Sequence, residues 1–314
     1  MEYVLKTANL KKYYGKYRAL DGLDMCVPKG AIYGFVGKNG AGKTTLIRLI
    51  CGLQKPNEGN YELYGIDSRN KEIVKSRRRM GAVVESPSIY QDMSARENME
   101  QQYRILGLPD FQGIPELLKL VGLENTGKKK AVNFSLGMRQ RLGIAIALAG
   151  SPDFLVLDEP VNGLDPQGIV EIRELILRLN REQGITLLIS SHMLDELARI
   201  ATHFGFIDRG QMVKEISAAQ LEEACRKRIC LRVSDVGILS RVLDEIGLEY
   251  AVLSDSEAEI YGKIGVTELA LRLSDQGCQV ESMQERDESL ENYYLNLVGG
   301  QLTPTEAGRR GKHE

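Results

Sequence analysis

The sequence predicts an α/β protein with a mixed, mainly parallel sheet, a helical insert in that sheet domain, and a smaller α+β domain after it. Three observations predict this fold. A glycine-rich loop lies between an apolar strand and a helix, apolar strands alternate with helices up to about residue 200, and a β-α-β-β-α-β order begins after about residue 225. Strands that alternate with helices are typical of a parallel sheet covered by helices.

The composition restricts the class of protein. Of the 314 residues, 43% are hydrophobic and 27% are charged, and the net charge is −2. Nucleic-acid binders usually carry a strongly basic domain, so we expect no nucleic-acid partner. The longest apolar runs, 144–149 and 154–157, are far below the roughly 20 residues needed to cross a bilayer, and the first residues lack the layout of a secretory signal. We therefore expect a cytoplasmic protein with reduced cysteines.

The glycine-rich loop at 37–44 predicts a phosphate site. Its sequence, G-K-N-G-A-G-K-T, fits the pattern G-x-x-x-x-G-K-[ST] and follows the apolar run 31–36. The glycines let the backbone turn with its N–H groups inward, and the next helix adds its positive N-terminal end. In this pattern Lys43 reaches the β- and γ-phosphates of a nucleoside triphosphate, and Thr44 offers its hydroxyl to Mg²⁺.

The other elements of the first domain follow from apolar runs bounded by turn residues. Predicted strands lie at 3–8, 25–27, 31–36, 61–64, 81–84, 154–157 and 186–190. Predicted helices lie at 45–51, 94–106, 114–121, 135–149, 167–183 and 192–200. Ser94 and Glu97 form a capping box that predicts the start of the second helix. The helices between about 86 and 150 are expected to form the insert.

Polar residues follow two of the predicted strands. Asp158 and Glu159 come after the run 154–157, and His192 follows the strand 186–190. Beside a phosphate loop, Asp158 could hold Mg²⁺ through water, Glu159 could polarise the attacking water, and His192 could sense the γ-phosphate. A solvated rim of carboxylates and a surface histidine are the alternative interpretation.

A second helix start has similar chemistry. Ser135 is placed as an N-cap, and Gly137 leaves the first-turn amides uncovered, so this end of the helix could bind an anion. It has no lysine cradle of its own. Ordinary helix capping remains the alternative interpretation.

Five motifs in this order resemble the nucleotide-binding subunit of an ATP-binding cassette (ABC) transporter. They are Walker A at 37–44, the signature motif at 135–140, Walker B at 154–159, the D-loop at 162–165 and the switch histidine His192. The resemblance covers about residues 1–220. It implies a P-loop NTPase fold, ATP and Mg²⁺ as cofactors, and ATP hydrolysis that drives export through separate membrane-spanning permease subunits. The protein would then be peripheral at the inner face of the cell membrane.

The resemblance also implies a head-to-tail homodimer, in which Ser135, Leu136 and Gly137 of one chain reach the γ-phosphate bound by Lys43 of the other. Tyr14 matches the position that stacks on adenine, although the residues alone favour an edge-strand aromatic. The implied catalytic residues are Lys43, Glu159 and His192, and the implied metal ligands are Thr44, Glu85 and Asp158. The implied nucleotide contacts are Tyr14, Gly37, Lys38, Asn39, Gly40, Ala41, Gly42, Lys43, Thr44, Thr45, Ser135, Leu136, Gly137, Gln140 and Asp165.

Glu85 departs from the usual pattern of the family, which has a glutamine at this position. A glutamate at this position resembles the pattern of the exporters that protect against bacitracin and lantibiotics. The segment around 289–294 resembles that subgroup as well. A carboxylate adds negative charge beside the metal, so two effects are open: firmer binding of Mg²⁺, or competition with Glu159 for the water.

Residues 225–298 are predicted to form a ferredoxin-like domain behind an ATPase domain at 1–224. Its predicted strands lie at 228–233, 249–253, 258–261 and 279–283, and its predicted helices at 236–246, 266–274 and 290–298. It carries no recognisable catalytic motif. Sensing of a ligand, and dimerisation or bracing of a permease, are both open roles. The polar segment 299–314 is predicted to be disordered.

Three functions remain open. They are export of a peptide antibiotic, export of another small molecule, and a soluble, non-transport ATPase that acts on ribosomes or DNA. ATPases of the last class that act in translation carry two cassettes in one chain, and those that act in DNA repair insert a long coiled coil between Walker A and the signature motif. This sequence has a single Walker A and only short helices between Lys43 and Ser135, which argues against both forms. In an exporter, the segment 85–93 is where we expect the permease to dock.

Overall fold

The computed structural model describes residues 2–226, 228–262, 264–286 and 290–299. It divides into two compact units, Met1–Ala218 and Ala219–Glu314. The unit boundary after residue 218 precedes the predicted domain boundary after residue 224. Of the tail that is predicted to be disordered, residues 300–314 lie outside the described residues, and Gly299 ends a helix.

A six-stranded mixed sheet forms the centre of the first unit. Its strands are β3 (Ile32–Val36), β6 (Met80–Val83), β7 (Phe154–Asp158), β8 (Thr186–Ser191), β9 (His203–Asp208) and β10 (Gln211–Ser217). Their order is β10-β9-β3-β8-β7-β6, with β10 antiparallel to β9 and every other pair parallel. All residues of β3, β7 and β8 are buried, so the sheet forms a rigid core. The carboxyl ends of its parallel strands therefore lie along one edge.

Strands β9 and β10 were not predicted from the sequence. Gly205 interrupts the apolar run of β9, and glycine weakens a strand pattern. The structure shows why it is there: a Cβ at Gly205 would lie 2.3 Å from the hydroxyl oxygen of Tyr33 on β3. The glycine makes room for a buried tyrosine, which no local pattern reveals.

A second, antiparallel sheet has the order β2-β1-β4-β5. Its strands are β1 (Tyr3–Tyr14), β2 (Tyr17–Pro28), β4 (Glu58–Leu63) and β5 (Ile66–Asp67). The predicted strands 3–8 and 25–27 are only parts of the long hairpin formed by β1 and β2. Several register shifts interrupt that hairpin, and Asn9 has a positive φ of 46°. Such bulges break the two-residue alternation on which a strand prediction depends.

The helices of the first unit carry the predicted insert. They are α1 (Lys43–Ile50), α2 (Ile73–Arg77), α3 (Ala95–Leu106), α4 (Ile114–Leu120), α5 (Leu136–Leu148), α6 (Pro166–Gln183) and α7 (Leu194–Ala198), and α8 (Ala218–Ala224) follows across the unit boundary. Helices α3 to α5 lie between β6 and β7 along the chain, as predicted. The capping box before α3 is confirmed, since Ser94 N donates to Glu97 Oε2 at 2.7 Å and Glu97 N donates to Ser94 Oγ at 3.3 Å. Helix α2 was not predicted.

The second unit contains β11 (Arg228–Val233), α9 (Val236–Ile246), β12 (Glu249–Val252), β13 (Glu257–Tyr261), α10 (Val266–Asp275), β14 (Val280–Arg286) and α11 (Leu290–Gly299). Its sheet is antiparallel with the order β12-β13-β11-β14. This is the predicted ferredoxin-like arrangement. Ile229, Leu231 and Val233 are buried in a separate apolar core, so the unit has its own interior.

None of the helices in the described residues combines the length and the apolar composition that crossing a bilayer requires.

Candidate active site

The glycine-rich loop connects β3 to α1 in a compact turn. Gly37 N donates to Ser191 O at 3.3 Å, and Ala41 N donates to Lys38 O at 3.1 Å. Gly42 has a φ of 115°, and a Cβ there would lie 2.6 Å from the carbonyl oxygen of Ala19. A side chain at this position would therefore be strained and would clash with the backbone. The loop has its shape because glycine is present where the backbone must approach β2.

Helix α1 begins at the end of this loop. No side chain caps its first turn, so its N-terminal amides remain available to an anion. The side chain of Lys43 is only 6% exposed, and its Nζ donates to Gly37 O at 2.6 Å. A buried ammonium and a helix N-terminus thus face the same small region, as the sequence predicts.

The strand β7 brings two carboxylates to the same edge of the sheet. Asp158 is buried, and its Oδ1 accepts a hydrogen bond from Ser190 Oγ on β8 at 2.5 Å. Its other oxygen, Oδ2, is buried and has no hydrogen-bond partner among the residues that the structure describes. The amide of Glu159 donates to Ser190 Oγ at 3.0 Å. Ser190 therefore fixes both the aspartate and the backbone of the following glutamate.

The side chain of Glu159 lies between the two other predicted catalytic residues. Its Oε1 is 3.1 Å from Lys43 Nζ, and its Oε2 is 2.9 Å from His192 Nδ1. The contact with Lys43 is an ion pair without hydrogen-bond alignment, since Oε1 accepts no hydrogen bond. The structure thus brings Lys43, Glu159 and His192 into one cluster from three separate parts of the chain.

Glu85 lies at the neighbouring strand end but outside this cluster. In the parallel register of β6 and β7, Val83 is opposite Leu157, which places the chain after β6 beside Asp158 and Glu159. The carboxylate of Glu85 is held by Arg48 of α1, with 2.5 Å between Oε1 and Nη2. Arg48 was not among the predicted site residues. The two residues are 37 positions apart, so no local pattern links them.

Tyr14 ends β1 as an exposed side chain, and its hydroxyl donates to Gln54 Oε1 at 2.5 Å. The neighbouring Tyr17 donates to the carbonyl oxygen of Gly40 in the glycine loop at 2.9 Å. Neither Tyr17 nor Gln54 was predicted to have a role. The Tyr17 contact connects the β1–β2 hairpin to the glycine loop, and the Tyr14 contact connects it to the segment after α1. Both depend on the long hairpin, which was only partly predicted.

The second helix start is built as predicted. Ser135 is the N-cap of α5, and its Oγ accepts from Met138 N at 3.2 Å. Leu136 next to it is exposed, while Gln140 one turn later is buried with an unpartnered Nε2. Among the described residues, the polar contacts of Lys43 go to its own loop and to Glu159, and none reaches this turn.

The D-loop lies beside this second helix start. Asp165 caps α6, and its Oδ1 accepts from Gly168 N at 3.1 Å. A Cβ at Gly163 would be 3.3 Å from Leu136 Cδ2. The signature motif and the D-loop therefore pack together, and the D-loop also meets the Lys43 cluster, since Asn162 N donates to Glu159 O at 3.1 Å.

The chemistry of the site suits a metal held in part by a substrate. No group of three or more His, Cys, Asp or Glu side chains in the described ranges is arranged to hold a metal ion by itself. Mg²⁺ is usually bound by one or two protein ligands together with substrate phosphates and water. The buried, unpartnered Asp158 Oδ2 fits that kind of site, and the hydroxyl of Thr44 is positioned at the start of α1.

Together the glycine loop, the buried lysine and the strand-end Asp-Glu pair define a nucleoside triphosphatase of the P-loop class. Comparisons with known proteins give the family. The model of the ABC transporter family matches residues 20–162. The chain is 40% identical to the bacitracin transport ATP-binding protein BcrA of Bacillus licheniformis, over 96% of this chain and 99% of that protein.

Other relatives agree. The lantibiotic transport ATP-binding protein SrtF of Streptococcus pyogenes is 43% identical, over 68% of this chain and 90% of that protein. A dimeric ATP-binding cassette solved in a post-hydrolysis state with ADP and Pi is 26% identical, with a TM-score of 0.61, over 68% of this chain and 98% of that one. The chain therefore belongs to the ABC transporter family as an ATP-binding subunit, and its activity is ATP hydrolysis coupled to transport.

Proposed function

We propose that this chain powers an exporter that removes, or protects a cell against, a peptide antibiotic of the bacitracin or lantibiotic type. The observation that carries the proposal is the match to BcrA, which extends over 96% of this chain and so includes most of the second unit. Glu85 supports the proposal further, because a glutamate in place of the usual glutamine resembles the pattern of that subgroup. Export of another small molecule is the alternative.

In the proposed nucleotide site, ATP lies on the glycine loop with its phosphates at the start of α1. Lys43 turns from the carbonyl oxygen of Gly37 and from Glu159 to the β- and γ-phosphates. This exchange favours ATP binding, because the ammonium is attracted more strongly to an anionic phosphate oxygen than to a neutral carbonyl. The ring of Tyr14, held at its hydroxyl by Gln54, stacks on the adenine.

The proposed metal residues are Thr44, Asp158 and Glu85. Bound Mg²⁺ would neutralise charge that develops on the β- and γ-phosphate oxygens. Asp158 is suited to an outer position, since Ser190 orients one oxygen and leaves the other directed into a buried space without a partner.

Glu159 is proposed to orient the attacking water and accept its proton. When the phosphates draw Lys43 away, Oε1 of Glu159 loses its ion-pair partner and can receive a hydrogen bond from that water. His192 contacts the other oxygen at 2.9 Å, and we propose that it senses the γ-phosphate. Release of Glu159 is thus linked to the arrival of the nucleotide.

We also propose that the site is completed by a second copy of the chain. Ser135, Leu136, Gly137 and Gln140 lie at a helix start that Lys43 does not contact, and Asp165 lies beside them. The exposed Leu136 and the N-terminal end of α5, where Ser135 Oγ accepts from Met138 N, suit the γ-phosphate held by a partner.

A separate permease is proposed to dock on the segment 85–93, where Tyr90 is exposed. The subunit would then lie at the cytoplasmic face of the membrane, and we expect no nucleic-acid partner.

The dimer is tested with Glu159→Gln, which should bind ATP and hydrolyse it slowly. Light scattering after size exclusion should show twice the monomer mass in ATP and Mg²⁺. Ser135→Arg in the same background should remain monomeric, because a bulky cation blocks the partner's phosphate. Ser94→Ala, which removes a cap elsewhere, serves as the matched control and should still dimerise. A monomer for Glu159→Gln, or a dimer for the Ser135→Arg variant, would contradict the proposal.

The cargo is tested by producing the chain with the permease from its gene neighbourhood in an antibiotic-sensitive host. Growth in bacitracin, in a lantibiotic and in an unrelated small-molecule antibiotic is compared with that of cells carrying Glu159→Gln. Protection against one of the two peptide classes, lost in the variant, is the expected result. Protection against only the unrelated compound would favour the alternative cargo.

A further inference from the structure

We propose that Arg48, one helical turn after Thr44, is a positioning residue for Glu85, binding that carboxylate and thereby setting how strongly Mg²⁺ and ATP binding depend on each other. The inference rests on the proposed metal site at Thr44 and Asp158. It assigns a role to an arginine outside the recognised motifs.

The first step is the position of Glu85. Because Val83 is opposite Leu157, the two chains leave the sheet side by side, and Glu85 and Glu159 are two residues beyond this pair on each strand. Both glutamates have a positive φ, 59° and 49°. Residues other than glycine seldom adopt this conformation, and where they do it is often at functional sites. The backbone therefore delivers both carboxylates to the edge of the sheet where the phosphates would lie.

The second step is the position of Arg48. It follows Thr44 by four residues in α1, so the two side chains lie on the same face of the helix, about 6 Å apart along its axis. The carboxylate of Glu85 is bound to Arg48 Nη2 at 2.5 Å. Glu85 is thus tied to the helix that carries Thr44, one turn further along it.

Arg48 also changes the charge at this edge of the sheet. Asp158 and Glu159 already place two carboxylates at this edge of the sheet. A third carboxylate without a counter-charge would repel the phosphates of ATP and attract a divalent cation. Arg48 cancels that charge. It therefore weakens the repulsion of metal-free ATP and also the extra attraction for Mg²⁺.

The ion pair between Arg48 and Glu85 is partly open to water. The side chains of Arg48 and Glu85 are 36% and 57% exposed, and ion pairs that open to water are weak. The pair can therefore open without a large loss of stability. Glu85 can exchange between Arg48 and the metal, in contrast to a carboxylate locked in a buried pair.

The experiment measures equilibrium binding of ATP to the purified full chain, in EDTA and in Mg²⁺. The dissociation constant in EDTA divided by that in Mg²⁺ reports how strongly ATP binding depends on the metal. Arg48→Met should raise this ratio by about 1.5- to 5-fold, the range expected from freeing an exposed ion pair. Arg48→Lys keeps the positive charge and should restore a ratio close to that of the unchanged chain.

Two further variants make the test specific. In the Glu85→Gln background, Arg48→Met should leave the ratio unchanged, because the carboxylate it controls is absent. Arg69→Met, which removes an exposed arginine paired with Asp67, is the matched control and should have no effect. Circular dichroism checks that every variant is folded.

An unchanged ratio in Arg48→Met would overturn the inference, as would an equal rise in the Glu85→Gln background. If the unchanged chain binds ATP but Mg²⁺ has no effect on its affinity, the proposed metal site itself is wrong and the inference fails with it. Failure of the metal site and failure of the inference are distinguishable, because the first is detected with the unchanged chain alone and the second only with the variants.

Discussion

Two neighbouring strands, β6 and β7, are followed by glutamates that share a backbone conformation and differ in how deeply their side chains are buried. Glu85 and Glu159 both have positive φ angles, and each forms an ion pair with a cation on α1. Glu159 pairs with Lys43 at the start of that helix, and Glu85 pairs with Arg48 further along.

The difference is burial. In the first pair the side chains of Lys43 and Glu159 are 6% and 19% exposed, while in the second those of Arg48 and Glu85 are 36% and 57% exposed. Charges interact more strongly where water is excluded, and exposed pairs contribute little. The same local geometry therefore yields a carboxylate suited to catalysis at one strand end and an exchangeable one at the other. The degree of burial around each glutamate therefore decides which role its carboxylate can have.

The largest effect on ATP binding is expected when the partner of the buried glutamate is removed. Lys43→Met should weaken ATP binding by about 10- to 100-fold, since it removes charge-assisted hydrogen bonds worth about 1.5–3 kcal/mol. Calorimetric titration with ATP and Mg²⁺ measures this. Lys29→Met, which removes a surface lysine paired with Glu2, is the matched control. ATP affinity equal to that of the control would show that the buried pair is not at the nucleotide site.

A smaller effect is expected from the residue that supports Glu159. Ser190→Ala removes the hydroxyl that orients Asp158 and accepts the amide hydrogen of Glu159. Loss of such a supporting contact should lower the maximal rate of ATP hydrolysis about 10-fold, with little change in ATP affinity. Ser76→Ala, at another buried serine, is the control. A loss of affinity with an unchanged rate would contradict this role for Ser190.

The smallest effect concerns stability at the exposed pair. Glu85→Gln should lower the free energy of unfolding by less than about 1 kcal/mol, because the pair with Arg48 is open to water. Urea unfolding measures the change, and Glu58→Gln, which removes the partner of Lys11 in another exposed pair, should give a similar value. A loss of about 3 kcal/mol or more would be typical of a broken buried pair and would remove the contrast with Glu159.

Much of the fold could be predicted because its signals are local. The glycine loop, the capping box at Ser94 and Glu97, and the β-α-β-β-α-β order each depend on residues close together in the sequence. The long hairpin of β1 and β2 was underpredicted because bulges interrupt its alternation, and β9 was missed because Gly205 accommodates Tyr33.

The site divides in the same way. The cluster of Lys43, Glu159 and His192 could be predicted because each residue follows a recognisable strand or loop. The roles of those residues, the domain boundary after residue 224 and the role of the second unit remain predictions. The pairing of Glu85 with Arg48 could not have been found, since it depends on the register of β6 and β7 and on the face of α1. Contacts across 37 residues leave no trace in local patterns.

The measurement that tests the contrast most directly is the rate of ATP hydrolysis by Glu159→Gln and Glu85→Gln, assayed side by side at saturating ATP and Mg²⁺. We expect the rate of Glu159→Gln to fall by at least about 100-fold, the contribution of a positioned base. The rate of Glu85→Gln should stay within about 10-fold of the unchanged chain, because its carboxylate acts through the metal and not on the water. Equal losses in the two variants, or a larger loss in Glu85→Gln, would contradict the account.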